Sequence, residues 1–235
     1  VAPVAPGGPE RPEAVIFDFD GLIIDSEWAI YEAAREAFVA HGHELTVAAW
    51  ATVVGTNDRH DDSWWPRLCE AAGVGGFDRE DFDAAYEADE PRARLRAAML
   101  ELPALPGVAD LVAEVAAAGT PLGVASSSSR PWLVHNLDRL GLIDRFGTLV
   151  GADVVGGIGK PAPDVYLRAC ADLGADPVRS VAIEDSAHGV TAAKAAGMPA
   201  VAVPSQITRF NDFGHADLVV GSVAELDLAT LASLL

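Results

Sequence analysis

The sequence predicts an α/β fold: a doubly wound, Rossmann-like parallel sheet carrying a small all-α domain inserted after its first strand. Three observations point there. Short apolar runs bounded by turn residues recur along the chain, amphipathic stretches of helical spacing separate them, and from about 28 to 102 helical spacing continues with no convincing strand. Strands buried on both faces read as near-continuous apolar runs, and their alternation with helices implies crossover connections between parallel neighbours.

The apolar runs are Ala14 to Phe19, Pro121 to Ala125, Thr148 to Val150, Val181 to Ile183 and Ala200 to Val203. Between them, Val108, Leu111, Val112 and Val115 precede Gly119; Leu133, Val134, Leu137 and Leu140 precede Gly141; Tyr166, Ala169, Cys170 and Leu173 precede Gly174. Each set has helical spacing and ends on a glycine suited to a left-handed cap. In the insert, Tyr31, Ala34 and Phe38 share one helical face, a helix begins near Thr46, and a long one follows Asp78. About 75 residues of helix exceed a simple crossover, so 28–102 is expected to be a cap on a core formed by 13–27 and 103–235, with 1–12 a flexible arm. Pro103 and Pro106-Gly107 mark the return to the core.

The chain has 16 basic and 35 acidic residues, a formal charge of −19. That field repels nucleic-acid phosphates and anionic membranes, so neither is expected as a partner. An anionic small molecule then needs a local cation or a set of amides to override it. Cys69 and Cys170 are too few for a disulfide framework, no Cys/His spacing reads as a zinc site, and a reducing cytoplasm is expected. The proline-broken N-terminal stretch lacks the regions of a signal peptide, and no apolar run is long enough to span a membrane.

Four segments carry candidate chemistry, each following an apolar run. Asp18 and Asp20 close the first, with Gly21 allowing a sharp turn; taken as strand, they point to one side at the carboxyl edge of the sheet. Ser126 to Ser129 run into a helix starting near Pro131, offering hydroxyls and free amides to an anion. Lys160 is held in Gly159-Lys160-Pro161-Ala162-Pro163, which is not a P-loop because Val154 and Pro161 replace its first glycine and its hydroxyl. Glu184-Asp185-Ser186 opens a helix that runs to Gly197, with Ser186 a possible N-cap. Each segment alone is weak. Together they bring carboxylates, hydroxyls and a cation to one edge, and hard oxygen ligands without Cys or His point to magnesium.

In this order the residues resemble the four motifs of the haloacid dehalogenase superfamily, D-x-D-G-x-x-x-D-[ST], a strand-end Ser, a K-P loop Lys and E-D-S-x-x-G. The helical insert resembles that family's mobile cap. The resemblance implies that Asp18 is a nucleophile forming an aspartyl-phosphate, and that Asp20 protonates the leaving oxygen and then activates water. It also implies Mg2+ held by Asp18, the Asp20 carbonyl, Asp185 and Glu184, with Ser126, the Ser127 amide and Lys160 on the phosphoryl oxygens. Dehalogenases of the superfamily lack the second carboxylate, so Asp20 implies phosphate chemistry. The β-phosphoglucomutase-like branch is similar, but its helix histidine is Ile30 here and its cap-loop arginine aligns with Asp58. A phosphatase of a small phosphorylated metabolite, a sugar phosphate or phosphoglycolate, is therefore expected ahead of a mutase or a non-catalytic binding module. Glu27, Trp28 and 55–60 are candidate specificity elements; His188, on one helical turn with Asp185 and Ser186, cannot complete a hydrolase triad.

Overall fold

A computed structural model describes residues 11–54 and 64–235, so the arm at 1–10, the loop at 55–60 and Asp58 lie outside the described residues. Strands β1 (Val15–Phe17), β2 (Leu122–Ala125), β3 (Thr148–Val150), β4 (Val181–Glu184), β5 (Ala200–Ala202) and β6 (Leu218–Val219) form one sheet. Its order is β3-β2-β1-β4-β5-β6, with every pair parallel. The chain winds outward from β1 to β3 and then returns to β4 on the other side of β1. Such a reversal opens a crevice at the carboxyl ends of the central strands, where open α/β sheets bind ligands. The sixth strand lies beyond the expected set; its two residues belong to the short apolar run Leu218-Val219-Val220, which is not among the expected strands.

Alternation along β1 and β4 divides the core. Val15, Phe17, Val181 and Ile183 pack with α6 (Val108–Ala117) and α7 (Arg130–Arg139). Ile16 and Ala182 face the other way, toward α8 (Asp164–Leu173) and α9 (Ala187–Ala195). The C-terminal α10 (Leu228–Ala232) joins the first layer through Leu231.

Between β1 and α6 the described residues form five helices, α1 (Ser26–Ala40), α2 (Val47–Ala51), α3 (Trp64–Ala72), α4 (Arg79–Tyr86) and α5 (Asp89–Glu101). Thr46 caps α2 by accepting from the Ala49 amide. The long helix expected after Asp78 is two, broken at Glu87 and Ala88, where Ala88 is extended. Pro91 explains the break: it has no N–H and its ring would meet the carbonyl four residues back, so it is tolerated only in the first turn of a new helix. Residues of α1 to α4 enclose their own aromatic cluster around Phe38, Trp50, Trp65 and Phe82, joined by Ile207 from the loop after β5. Among the described residues no helix is long and apolar enough to cross a membrane.

Candidate active site

The strand register makes the site. Phe17 pairs with Ile183, so the next residues along, Asp18 and Glu184, are neighbours at the sheet edge. The Asp18 amide donates to the Ile183 carbonyl at 2.9 Å, extending the ladder one residue past β1. Two-residue alternation places both side chains on the face of Ile16 and Ala182, toward α8. There Tyr166, fully buried on α8, donates its hydroxyl to Glu184.

Lys160 enters this pocket from the loop before α8. Its ammonium donates to Asp18 Oδ1 and to Glu184 Oε1, both at 2.5 Å, with the side chains nearly out of solvent. Its amide donates to Ser127 Oγ at 3.1 Å, tying the lysine loop to the serine loop. Asp185 is next to Glu184 and 2 % exposed; Thr208 Oγ1 donates to its carbonyl at 2.6 Å. Carboxylate oxygens of Asp18, Glu184 and Asp185 all lie within 4.8 Å of one another.

Electrostatics show what this cluster lacks. Burial, then the charge of Glu184, pushes the Asp18 carboxyl up to about 8. Burial and the charges of Asp18 and Glu184 drive Asp185 well above the ordinary carboxylate range. Burial alone would lower Lys160, but Asp18 and Glu184 outweigh it and hold the ammonium above its usual value. One cation against three buried carboxylates leaves an excess of negative charge that cannot stay unpaired in such a place. A divalent ion preferring oxygen ligands removes the excess, and the donor set fits one.

Two glycines make room for these carboxylates. A Cβ on Gly21, which has φ +83°, would collide with the Asp185 carboxylate, and one on Gly189 would overlap that of Glu184. Ser186 caps α9, its Oγ accepting from the Gly189 amide at 3.1 Å.

Asp20 has different surroundings. Because β1 stops at Phe17, the strand argument that aligns Asp20 with Asp18 does not reach it. Asp20 Oδ1 accepts from Ser26 Oγ at 2.6 Å and from Trp132 Nε1 at 3.1 Å, and Oδ2 accepts from Ser128 Oγ at 2.6 Å. Ser126 is buried at the end of β2, and its Oγ accepts from the Ser128 amide at 3.0 Å. Helix α7 is capped by Asp153, which accepts from the Arg130 amide at 2.7 Å; the side chain of Ser129 makes no such bond. That leaves the serine hydroxyls for the site. Sequence reasoning misses Ser128, Trp132, Tyr166 and Thr208. Ser128 stands in a legible serine run, but the helical spacing of Tyr166 marks it as core, and nothing local links Trp132 or Thr208 to a carboxylate over 20 residues away.

This arrangement can hold a divalent cation beside the buried Asp18 carboxylate, with a second carboxylate, Asp20, two residues further along the chain. Residues 12–197 match the model of the haloacid dehalogenase-like hydrolases. The chain belongs to that family. As a haloacid dehalogenase-like hydrolase it is an enzyme, and several relatives match it over nearly their full length. It is 36% identical over 228 residues to the putative phosphatase YhcW of Bacillus subtilis, covering 93% of this chain and 96% of that one. It is 34% identical to hexitol phosphatase B of Escherichia coli, over 93% and 96% of the two chains. A crystal structure of a CbbY variant from Rhodobacter sphaeroides in complex with xylulose-1,5-bisphosphate is similar at 30% identity and a TM-score of 0.67, covering 94% of this chain and 99% of that one.

Proposed function

We propose that this hydrolase is a magnesium-dependent phosphatase of a small phosphorylated metabolite, working through an aspartyl-phosphate on Asp18. The buried group of Asp18, Glu184, Asp185 and Lys160 carries the reading. Relatives named as phosphatases support it. In this reading Asp18, Asp185, Glu184 and the Asp20 carbonyl hold the ion. When bound, Mg2+ supplies positive charge to the phosphoryl oxygens and lets an anionic carboxylate approach an anionic ester. Lys160, Ser126 and the Ser127 amide take the remaining oxygens, as fixed donors that need no rearrangement.

Asp18 attacks phosphorus and the ester P–O bond breaks as Asp20 gives its proton to the leaving oxygen. Asp20 then takes a proton from water, which attacks phosphorus and releases Asp18 and phosphate. The surroundings of Asp20 suit both roles. Serine hydroxyls turn to donate to a carboxylate or accept from a carboxylic acid, whereas an indole only donates. Trp132 and Ser26 both reach Oδ1, so the transferable proton belongs on Oδ2, where Ser128 alone can adapt. Ile30 has no proton to exchange with a sugar hydroxyl, which favours water as acceptor over the mutase reaction. The helices α1 to α5 act as the cap in this scheme. Two free thiols, Cys69 and Cys170, suit a reducing compartment such as the cytoplasm.

Inorganic phosphate released from a panel of phosphomonoesters, with and without chelator, tests the reading. Asp18→Asn should lower turnover on the order of 10⁴-fold, as loss of a nucleophile does. Its thermal stability in chelator should be equal or higher, since a neutral amide replaces a carboxylate that burial disfavours. Wild-type phosphate release that is indifferent to chelator, or an active Asp18→Asn, would overturn it.

A further inference from the structure

The ladder between β4 and β5 brings one further segment to the carboxylate cluster. Ala202 pairs with Glu184, and the Val203 amide donates to the Glu184 carbonyl at 2.6 Å. Pro204 has no N–H to continue the ladder, so the chain leaves the sheet beside Glu184 and turns back toward Asp185. In that turn Ser205 and Thr208 bond reciprocally. The Ser205 amide donates to Thr208 Oγ1 at 2.9 Å, and the Thr208 amide donates to Ser205 Oγ at 3.2 Å. Thr208 is fully buried, and its hydroxyl proton goes to the Asp185 carbonyl at 2.6 Å. A hydroxyl has one proton and two lone pairs, so the 3.0 Å contact between the two hydroxyls has Ser205 as its donor. Every bonding position of Thr208 Oγ1 is then used, which fixes its direction. The same oxygen lies 3.5 Å from Asp185 Oδ2, the atom for which Gly21 leaves room.

The turn is anchored on the side of the inserted helices as well. Ile207 is fully buried in the aromatic cluster of α1 to α4, and α2 packs against Thr208–Phe210. Lys160 fixes Asp18 and Glu184 by direct ion pairs. The third carboxylate residue, Asp185, is held by Thr208 through its main chain, from a turn that the inserted helices keep in place. A residue whose hydrogen bonds are all committed sets the position of the group it holds, and metal affinity depends on such partners of the ligating residues.

We infer that Thr208 is a positioning residue for the metal ion: its hydroxyl sets where Asp185 stands, and so how tightly the site takes Mg2+. The inference rests on the reading of Asp185 as a metal ligand and deepens it. Calorimetric titration of the full chain with MgCl2, without substrate, tests it. Thr208→Val, which keeps the shape and removes the hydroxyl, should raise the Mg2+ Kd about tenfold, the lower end of what partners of metal ligands contribute. Thr208→Ser, which keeps the hydroxyl, should stay within about threefold of the wild type. In phosphate-release assays Thr208→Val should need about tenfold more Mg2+ for half-maximal rate yet approach the wild-type kcat at saturating metal, because the ligands are intact. A merely structural lesion would lower kcat at every Mg2+ concentration. If Thr208→Val does not fold, Ser205→Ala, which removes the hydroxyl bonded to Thr208 at a less buried position, should raise the Kd at least about threefold. An unchanged Kd in the folded variant, or a Thr208→Ser as weak as Thr208→Val, overturns the inference, while Mg2+ binding by the wild type leaves the metal reading standing. If the wild type binds no Mg2+, both fall.

Discussion

A methyl group at position 189 would occupy the space of the Glu184 carboxylate, so the glycine of the E-D-S-x-x-G segment is there to let a strand-end side chain lie across the first turn of α9. The contact is with a buried group held by Lys160 and Tyr166, which cannot move aside without breaking those bonds. Gly189→Ala should destabilise the protein by about 1–3 kcal/mol, the usual range for overpacking, and reduce kcat/KM more than tenfold by displacing Glu184. Urea denaturation and phosphate-release kinetics on the same preparation measure the two effects; a variant with wild-type kinetics would show that Glu184 tolerates displacement. At this scale the grouping was legible in advance: Asp18, Ser126, Lys160, Glu184 and Asp185, which the fold gathers at one sheet edge, can be named from segments that follow apolar runs. Their partners could not be. Trp132 lies 112 positions from Asp20, and no spacing in the chain relates them.

Elements show where local signals end. The helices that finish on Gly119, Gly141 and Gly174 do so with those glycines at positive φ, because a left-handed stop is written into one residue. Strand β6 has no such signal and is held instead by Asp217, just before it. Asp217 accepts from Lys194 Nζ at 2.7 and 2.9 Å and from the Ala200 amide at 2.7 Å, joining α9, β5 and the approach to β6. Partial burial alone would raise its pKa, but Lys194 and the Ala200 amide outweigh that and lower it. A carboxyl lowered on folding stabilises fully above the unfolded value, near 3.8, and its contribution fades as pH falls through the folded value. Asp217→Asn should therefore flatten the loss of stability between about pH 5 and 3. Urea midpoints across that range check it; parallel profiles for variant and wild type would mean the pair adds nothing in solution, as for many partly exposed ion pairs.

For the whole molecule the dominant fact is charge. A formal −19 is spread over the chain, yet the buried cluster is where excess negative charge has no solvent to relieve it. Metal binding should therefore stabilise the fold itself. At a hundredfold excess over its dissociation constant, a ligand specific to the folded state adds about 2.7 kcal/mol. For a protein of this size that corresponds to roughly 5–10 °C in Tm. A thermal-shift titration with MgCl2 should show the rise, EDTA should reverse it, and Asp185→Asn should abolish most of it. A wild-type Tm independent of Mg2+ would remove the ion from this site.

The sequence by itself determined the layered α/β architecture, the inserted helices and the order of the chemical groups along the chain, because apolar periodicity, glycine caps and strand-end residues are local properties. Only the tertiary structure decided how those groups are used. Register set Asp18 beside Glu184, the end of β1 at Phe17 released Asp20 to Ser26, Ser128 and Trp132, and the loop before α8 brought Lys160 between Asp18 and Glu184. The physical reason is that a pleat or a cap is encoded within a few neighbouring residues. Burial and charge excess exist only once distant segments enclose a space.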